Sequence, residues 1–218
     1  MKTIYFVRHG ESEANIGASV FQGEESPLTE RGREQARFIA KRCTKLPIEV
    51  IIASPAVRAR DTARYISEAT GKPVETDATF TERILPPELI GVSRKDSKGE
   101  KVLKEWEHSF FEAGTRVGFG ENFELLKMRA QKGLETLAAR PEKNILVVTH
   151  GFFLRMTISC IMFGETLSIA EFERIIQTFR TSNTGLTLAE YRPQFAGAAA
   201  LAPPMWAIRA WNDHAHLG

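Results

Sequence analysis

Ile4-Tyr5-Phe6-Val7-Arg8-His9-Gly10 is a run of four apolar residues that stops at two basic side chains and a glycine. Such a run describes a strand buried on both faces that delivers polar groups at its carboxyl end. The layout recurs twice: Val50-Ile51-Ile52-Ala53 stops at Ser54-Pro55, and Ile145-Leu146-Val147-Val148 stops at Thr149-His150-Gly151. Between these runs the periodicity becomes helical. Thr29 to Lys45 places Ala36, Ile39 and Ala40 on one face, and Ala56 to Ala69 and Glu121 to Ala139 are also helical in pattern. Strands alternating with helices predict an α/β fold, a single three-layer α/β/α domain over residues 1–218 with a mostly parallel sheet flanked by helices. Gly185 to Tyr191 and Trp206 to Trp211 read as two further strands, joined by an Ala/Pro/Gly connection from Arg192 to Pro204. The stretch 83–118 is less regular, with Pro86-Pro87, several lysines and an amphipathic segment from Leu103 to Phe111; it reads as an inserted lid or side lobe.

With 43% hydrophobic and 26% charged residues, 218 residues suffice to bury the core of one sizeable domain. Twenty-nine basic against 27 acidic residues leave a net charge of +2, too balanced for nucleic-acid or membrane-surface binding through bulk electrostatics. Any anion site must therefore be local. Cys43 and Cys160 form no CxxC pair, which argues against a disulfide framework or structural zinc and for a reducing cytoplasm; both fall in helical apolar patterns and should be buried. The apolar start is too short for a signal peptide, and Phe152 to Phe163 is interrupted by Arg155 and cannot span a bilayer. A soluble, cytoplasmic protein is expected, with a small-molecule partner and no nucleic acid or membrane. Its oligomeric state is not legible.

In an open α/β sheet, ligands collect beyond the carboxyl ends of the strands, so residues following Val7, Ala53 and Val148 should converge. Helices are expected to begin near Glu11 and Gly151, where backbone N–H groups and the helix dipole favour an anion. A histidine there can accept a phosphoryl group on a ring nitrogen and divide one hydrolysis into two displacements. His9 is the candidate nucleophile. The charge on the nonbridging oxygens needs fixed donors, which Arg8, Arg58 and His150 would supply; a guanidinium stays charged and can donate two hydrogen bonds to one phosphate. A carboxylic acid must protonate the leaving alkoxide, and Glu82 is chosen for that role. Arg60 is the rival to Arg58; Glu75, Asp77, Glu88 and Glu121 are the rivals to Glu82. A zinc site from His9, His150 and Glu82 would use ordinary ligands, but two arginines in the same pocket argue against it. His108, His214 and His216 have no frame around them and are assigned no chemistry. Arg94, Lys95, Lys98, Lys101 and Lys104 read as a solvated face of the lid, with an anion-collecting rim as the alternative.

These residues resemble the signatures of the histidine phosphatase superfamily, whose best-known branch is the cofactor-dependent phosphoglycerate mutases. Arg8-His9-Gly10-Glu11-Ser12 with Asn15 is similar to the opening RHGExxxN motif, and Phe21-Gln22-Gly23 with Pro27-Leu28-Thr29-Glu30-Arg31-Gly32 to the next block. Ser54-Pro55-Ala56-Val57-Arg58-Ala59 resembles the segment holding the pocket arginine, which favours Arg58 over Arg60, and Phe80-Thr81-Glu82 resembles the acid-bearing segment. Gly120-Glu121-Asn122 with Arg129, Thr149-His150-Gly151 and the closing Trp211-Asn212-Asp213 complete a likeness that is weakest between Arg83 and Gly118. The resemblance implies a phosphohistidine at His9, held by Arg8, Arg58 and His150, with Glu82 as acid and then base. It also implies that Asn15, Gln22, Gly23 and Gly151 line the substrate side, and that no metal or organic cofactor takes part. Hydrolysis of a small phosphomonoester is the leading expectation. A phosphoglycerate mutase is the alternative, set back by Arg83-Ile84-Leu85-Pro86-Pro87-Glu88, which departs from that branch's pattern. A binding module without turnover is the alternative of another class.

Overall fold

The computed structural model describes residues 1–17, 21, 23–192 and 205–218. Gln22 and the connection from 193 to 204 lie outside the described residues. In chain order the elements are β1 (Lys2–Arg8), α1 (Glu30–Cys43), β2 (Val50–Ala53), α2 (Val57–Thr70), β3 (Val74–Thr76), α3 (Ser97–Ser109), α4 (Phe123–Ala139), β4 (Asn144–Thr149), α5 (Gly151–Phe163), α6 (Ile169–Thr178), β5 (Leu186–Arg192) and β6 (Met205–Asp213). They build one six-stranded sheet in the order β3-β2-β4-β1-β5-β6. The four strands from β3 to β1 are parallel, and β5 and β6 add antiparallel pairings.

Alternation along the strands sorts the core into two layers. Ile4, Phe6, Ile52, Ile145 and Val147 pack with apolar residues of α4, α5 and α6. Tyr5, Val7, Ile51, Leu146 and Val148 face the other way, against Ile39, Ala40 and Cys43 of α1 and Ala59, Ala63 and Ile66 of α2. Both faces are covered, which is why the three runs read as unbroken apolar stretches rather than alternating ones. The register pairs Val7 with Val148 and Val148 with Ala53, so the carboxyl ends of β1, β4 and β2 lie side by side.

Local signals set the helix starts. Thr29 accepts from the Gly32 N–H at the start of α1, and Asn122 from the Leu125 N–H at the start of α4. Ser168 and Glu171 form a reciprocal capping box on α6. The first turn of α5 has no such local cap; its donors are met from elsewhere in the chain.

One expectation about the elements needs correction. No helix begins near Glu11: Ser12 pairs with Leu28 as an antiparallel bridge, and the Glu11 N–H donates to Gln35 Oε1. The Asn15 carboxamide accepts from the Ser12 N–H, a local bond that competes with helix formation, and Gly17 stands at φ +88°. The edge strand β3 was not foreseen either; its three residues are exposed, too short and too polar to carry a period. Residues 83–118 contain a short 3-10 turn at Pro87–Leu89 and α3. Lys101 and Lys104 on α3 make exposed pairs with Glu105 and Glu100, as a solvated face requires.

Candidate active site

His9, Arg8, Arg58, Glu82 and His150 come together at the carboxyl ends of β1, β2 and β4. Gly10 holds the turn after β1: its N–H donates to Thr62 Oγ1 at 3.0 Å, and a Cβ there would come within 2.5 Å of the Gly32 carbonyl oxygen. Only glycine fits that approach. His9 is 2% exposed. Its Nδ1 lies 2.7 Å from the Gly10 carbonyl oxygen, which can only accept, so Nδ1 carries the proton. Nε2 therefore bears the ring's lone pair, which accepts a hydrogen bond from Arg58 Nε at 3.2 Å.

His150 is fully buried, and its ring stands 5.0 Å from that of His9 at 61°. Its Nε2 shares a 2.8 Å hydrogen bond with the Ser54 hydroxyl, while Nδ1 is buried without a partner. Burial, then the neighbouring charges, push both imidazoles well below the ordinary range; for His9 these are His150, Arg58 and Arg8, and for His150 they are Arg58, Arg8 and Arg129. Both rings are neutral near pH 7. Arg8 donates to the Thr181 carbonyl at 2.6 Å, and its Nε is buried without a partner. Arg58 also donates to the Gly23 carbonyl at 3.1 Å. Arg60 is exposed on the far side of α2 and takes no part.

Glu82 caps α5 from a distance. Its carboxylate accepts from the Phe153 N–H at 2.9 Å and the Phe152 N–H at 3.2 Å, two donors that a helix start leaves open. The backbone on either side is clamped by Arg129, which donates to the carbonyls of Thr79, Thr81 and Glu82 and pairs with the buried Glu121 at 2.7 Å. Thr149 Oγ1 adds a bond to the Phe80 carbonyl at 2.7 Å. Of the acidic rivals, Glu121 is consumed by Arg129, and Glu75 pairs with Arg140 at an exposed edge.

Two cavities flank this centre and share Glu82 and Phe152. The first, of ≈ 450 Å³, carries Arg58 and Gly23 and is otherwise walled largely by apolar side chains. The second, of ≈ 430 Å³, carries Arg8, Gly151, Arg155, Arg180 and Thr181. Asn15 lines neither cavity. Its carboxamide oxygen instead accepts from Asn183, whose Nδ2 also reaches the His9 carbonyl at 3.0 Å. Among the described residues, no group of three or more His, Cys, Asp or Glu side chains is placed to hold a metal ion.

From sequence alone Ser54 and Arg129 stand among the family-like segments without a role, and neither Arg155 nor Arg180 is named as a site residue. Ser54 could have been found, since it ends β2 just as His9 and His150 follow β1 and β4. Arg155 and Arg180 carry no local signal, because only the packing of α5 against the segment after α6 brings them to Arg8.

The model of the histidine phosphatase superfamily (branch 1) matches residues 4–200. The chain belongs to this superfamily. A curated relative from Serratia proteamaculans, named "Probable phosphoglycerate mutase GpmB", is 33% identical over 167 residues, 74% of this chain and 75% of the relative. The protein of the same name from Escherichia coli O1:K1 is 31% identical over 220 residues, covering all of this chain and 95% of its own. Among solved structures, Bacillus stearothermophilus YhfR superposes with a TM-score of 0.78 at 22% identity over the whole of both chains. A mycobacterial glucosyl-3-phosphoglycerate phosphatase, Rv2419c, does so at 0.73 and 21%, covering 98% of this chain and all of its own. At these identities the structures establish a shared histidine phosphatase fold. The family itself is one of enzymes that use a histidine nucleophile.

Proposed function

We propose that the protein hydrolyses a small phosphomonoester through a phosphohistidine at His9. The observation that carries the reading is the fixed tautomer of His9, with Nδ1–H spent on the Gly10 carbonyl and the Nε2 lone pair facing the arginines. In the first step Arg58 transfers its hydrogen bond from Nε2 to the phosphoryl oxygens, the released lone pair attacks phosphorus, the P–O bond to the alcohol breaks, and Glu82 gives its proton to the departing oxygen. Arg8, Arg58 and His150 hold the nonbridging oxygens. The Ser54 hydroxyl can donate to His150 Nε2, which leaves Nδ1–H free to donate to the phosphoryl group; the open Nε of Arg8 is a second vacant donor. In the second step Glu82 takes a proton from water, the oxygen attacks phosphorus, and the P–N bond breaks to restore neutral His9. Gly23 and Gly151 line the two cavities, and the 83–118 lobe walls the first of them.

A phosphoglycerate mutase is the second reading, favoured by the names of the curated relatives. Rapid-quench labelling with a phosphorylated substrate should trap an acid-labile, base-stable phosphoryl group on the wild type and none on His9→Ala. Phosphate release measured beside interconversion of 2- and 3-phosphoglycerate, with and without bisphosphoglycerate, separates the two enzymes. A label retained by His9→Ala would remove the proposed nucleophile.

A further inference from the structure

The cavity beside Glu82 and Arg58 differs sharply in character from the polar centre it opens from. Its walls are Ala56, Ile84, Leu85, Ile90, Trp106 and Phe152, with Thr81, Glu24 and Arg83 completing the lining. Five of these residues come from the 83–118 lobe. Ile84 and Ile90 are 46% and 54% exposed, and both line this cavity. Trp106 is 5% exposed and anchored by its indole N–H to the Glu121 carbonyl, so the aromatic wall is preformed.

Among the described residues, Arg83 is the one cation of that wall other than Arg58. Its guanidinium lies 3.4 Å from the Trp106 ring centroid, 4.4 Å from that of Phe110 and 5.1 Å from that of Phe152. Two of its nitrogens, Nε and Nη2, are buried without hydrogen-bond partners, so aromatic faces satisfy this charge in place of a carboxylate. Burial lowers its pKa to about 10, and it remains a cation near neutral pH. The space in front of the scissile bond is thus bounded by aromatic rings, aliphatic branches and a guanidinium turned towards the rings. A glycerate or sugar in that space would leave its hydroxyls facing apolar groups, which costs free energy for every hydrogen bond not remade.

Resting on the phosphohistidine reading, we infer that the substrate is the phosphomonoester of a bulky apolar alcohol, with an aryl-sized group seated among Leu85, Ile90, Trp106 and Phe152. The alcohol oxygen then lies beside Glu82, which lines the same cavity, and the phosphoryl group meets Arg58, whose hydrogen bond to His9 Nε2 it displaces.

Benzyl phosphate, cyclohexylmethyl phosphate and glycerol 1-phosphate test this, because all three release primary alkoxides and differ chiefly in what fills the cavity. kcat/KM for benzyl phosphate should exceed that for glycerol 1-phosphate and for 3-phosphoglycerate by about 100-fold or more, mainly through KM. Leu85→Asn, which makes the wall polar, and Ile90→Trp, which narrows the mouth, should each lower the benzyl-to-glycerol ratio at least about tenfold. A ratio taken within one variant cancels losses of catalytic power or of folded protein. A wild-type ratio near one, a preference for 3-phosphoglycerate, or a ratio unmoved in both variants overturns the inference. Benzyl phosphate hydrolysis that survives in His9→Ala would instead remove the phosphohistidine reading and leave the cavity assignment standing. If no ester turns over, calorimetry with benzylphosphonate against 2,3-dihydroxypropylphosphonate decides the cavity assignment alone, and equal affinities would end it.

Discussion

At the scale of single residues, the proposed chemistry depends on two histidines kept neutral and two arginines kept charged within one buried space. Arg58 donates to His9 Nε2, whereas Arg60, two positions along, points to solvent. Arg58→Ala should therefore lower kcat/KM about 100- to 1000-fold, the size expected for one lost oxyanion donor, while Arg60→Ala should leave it within about twofold. Steady-state assays on one ester decide this, and equal losses in both would undo the assignment. Glu82 has two roles, as cap of α5 and as proposed proton donor. Glu82→Gln should slow alkyl phosphates far more than nitrophenyl phosphate, since only poor leaving groups need the proton. Uniform slowing across the series would reduce Glu82 to a helix cap.

At the scale of elements, the acid segment is a loop held by its neighbours. The Arg129–Glu121 pair joins it to α4, with side chains only 16% and 5% exposed, so neither charge is well screened by water. Arg129→Met strands the buried carboxylate and three backbone carbonyls, and should cost about 3–5 kcal/mol in urea unfolding. Because Glu82 would lose its clamp, kcat should fall more for alkyl than for aryl phosphates, a pattern that general destabilisation does not produce. Loss of stability with no leaving-group dependence would make Arg129 structural only. The four capped helices α1, α3, α4 and α6 show the reverse case, in which short-range residues suffice: Thr29, Asp96, Asn122 and Ser168 each sit where their own side chains can satisfy the first turn.

Across the whole molecule, burying uncharged imidazoles ties stability to pH. His9 and His150 titrate well below the ordinary value of 6.5 when folded, and His216, held between Arg42 and Thr184, is lowered to about 4, mainly by burial. Below pH 6.5 the unfolded chain binds protons that the folded chain refuses, so stability present above that pH is lost as the pH falls towards the folded values. The thermal midpoint should drop between pH ~6.5 and ~5, before most carboxylates titrate, and the drop should be shallower in His150→Gln. A midpoint flat over that interval would show the rings to be protonatable in place. No helix among the described residues is long and apolar enough to cross a membrane.

The chain by itself determined the α/β layering, because three apolar runs of four residues, each stopped by polar residues, are too short for helices and fit strands buried on both faces. It also determined the ends of those strands, and with them His9, His150 and the neighbouring arginines, since a strand end is a property of local sequence. Local sequence did not reveal the bridge at Ser12 that replaces a helix near Glu11, where long-range bonds to Leu28 and Gln35 outweigh a helical start. The resemblance already favoured Arg58 over Arg60, but only the tertiary structure decided that Glu82 caps a helix 70 residues away and that Arg155 and Arg180 share a cavity with Arg8. The physical reason is that hydrophobic periodicity is written into neighbouring residues. The partners of a buried charge are set instead by which distant elements the core brings into contact.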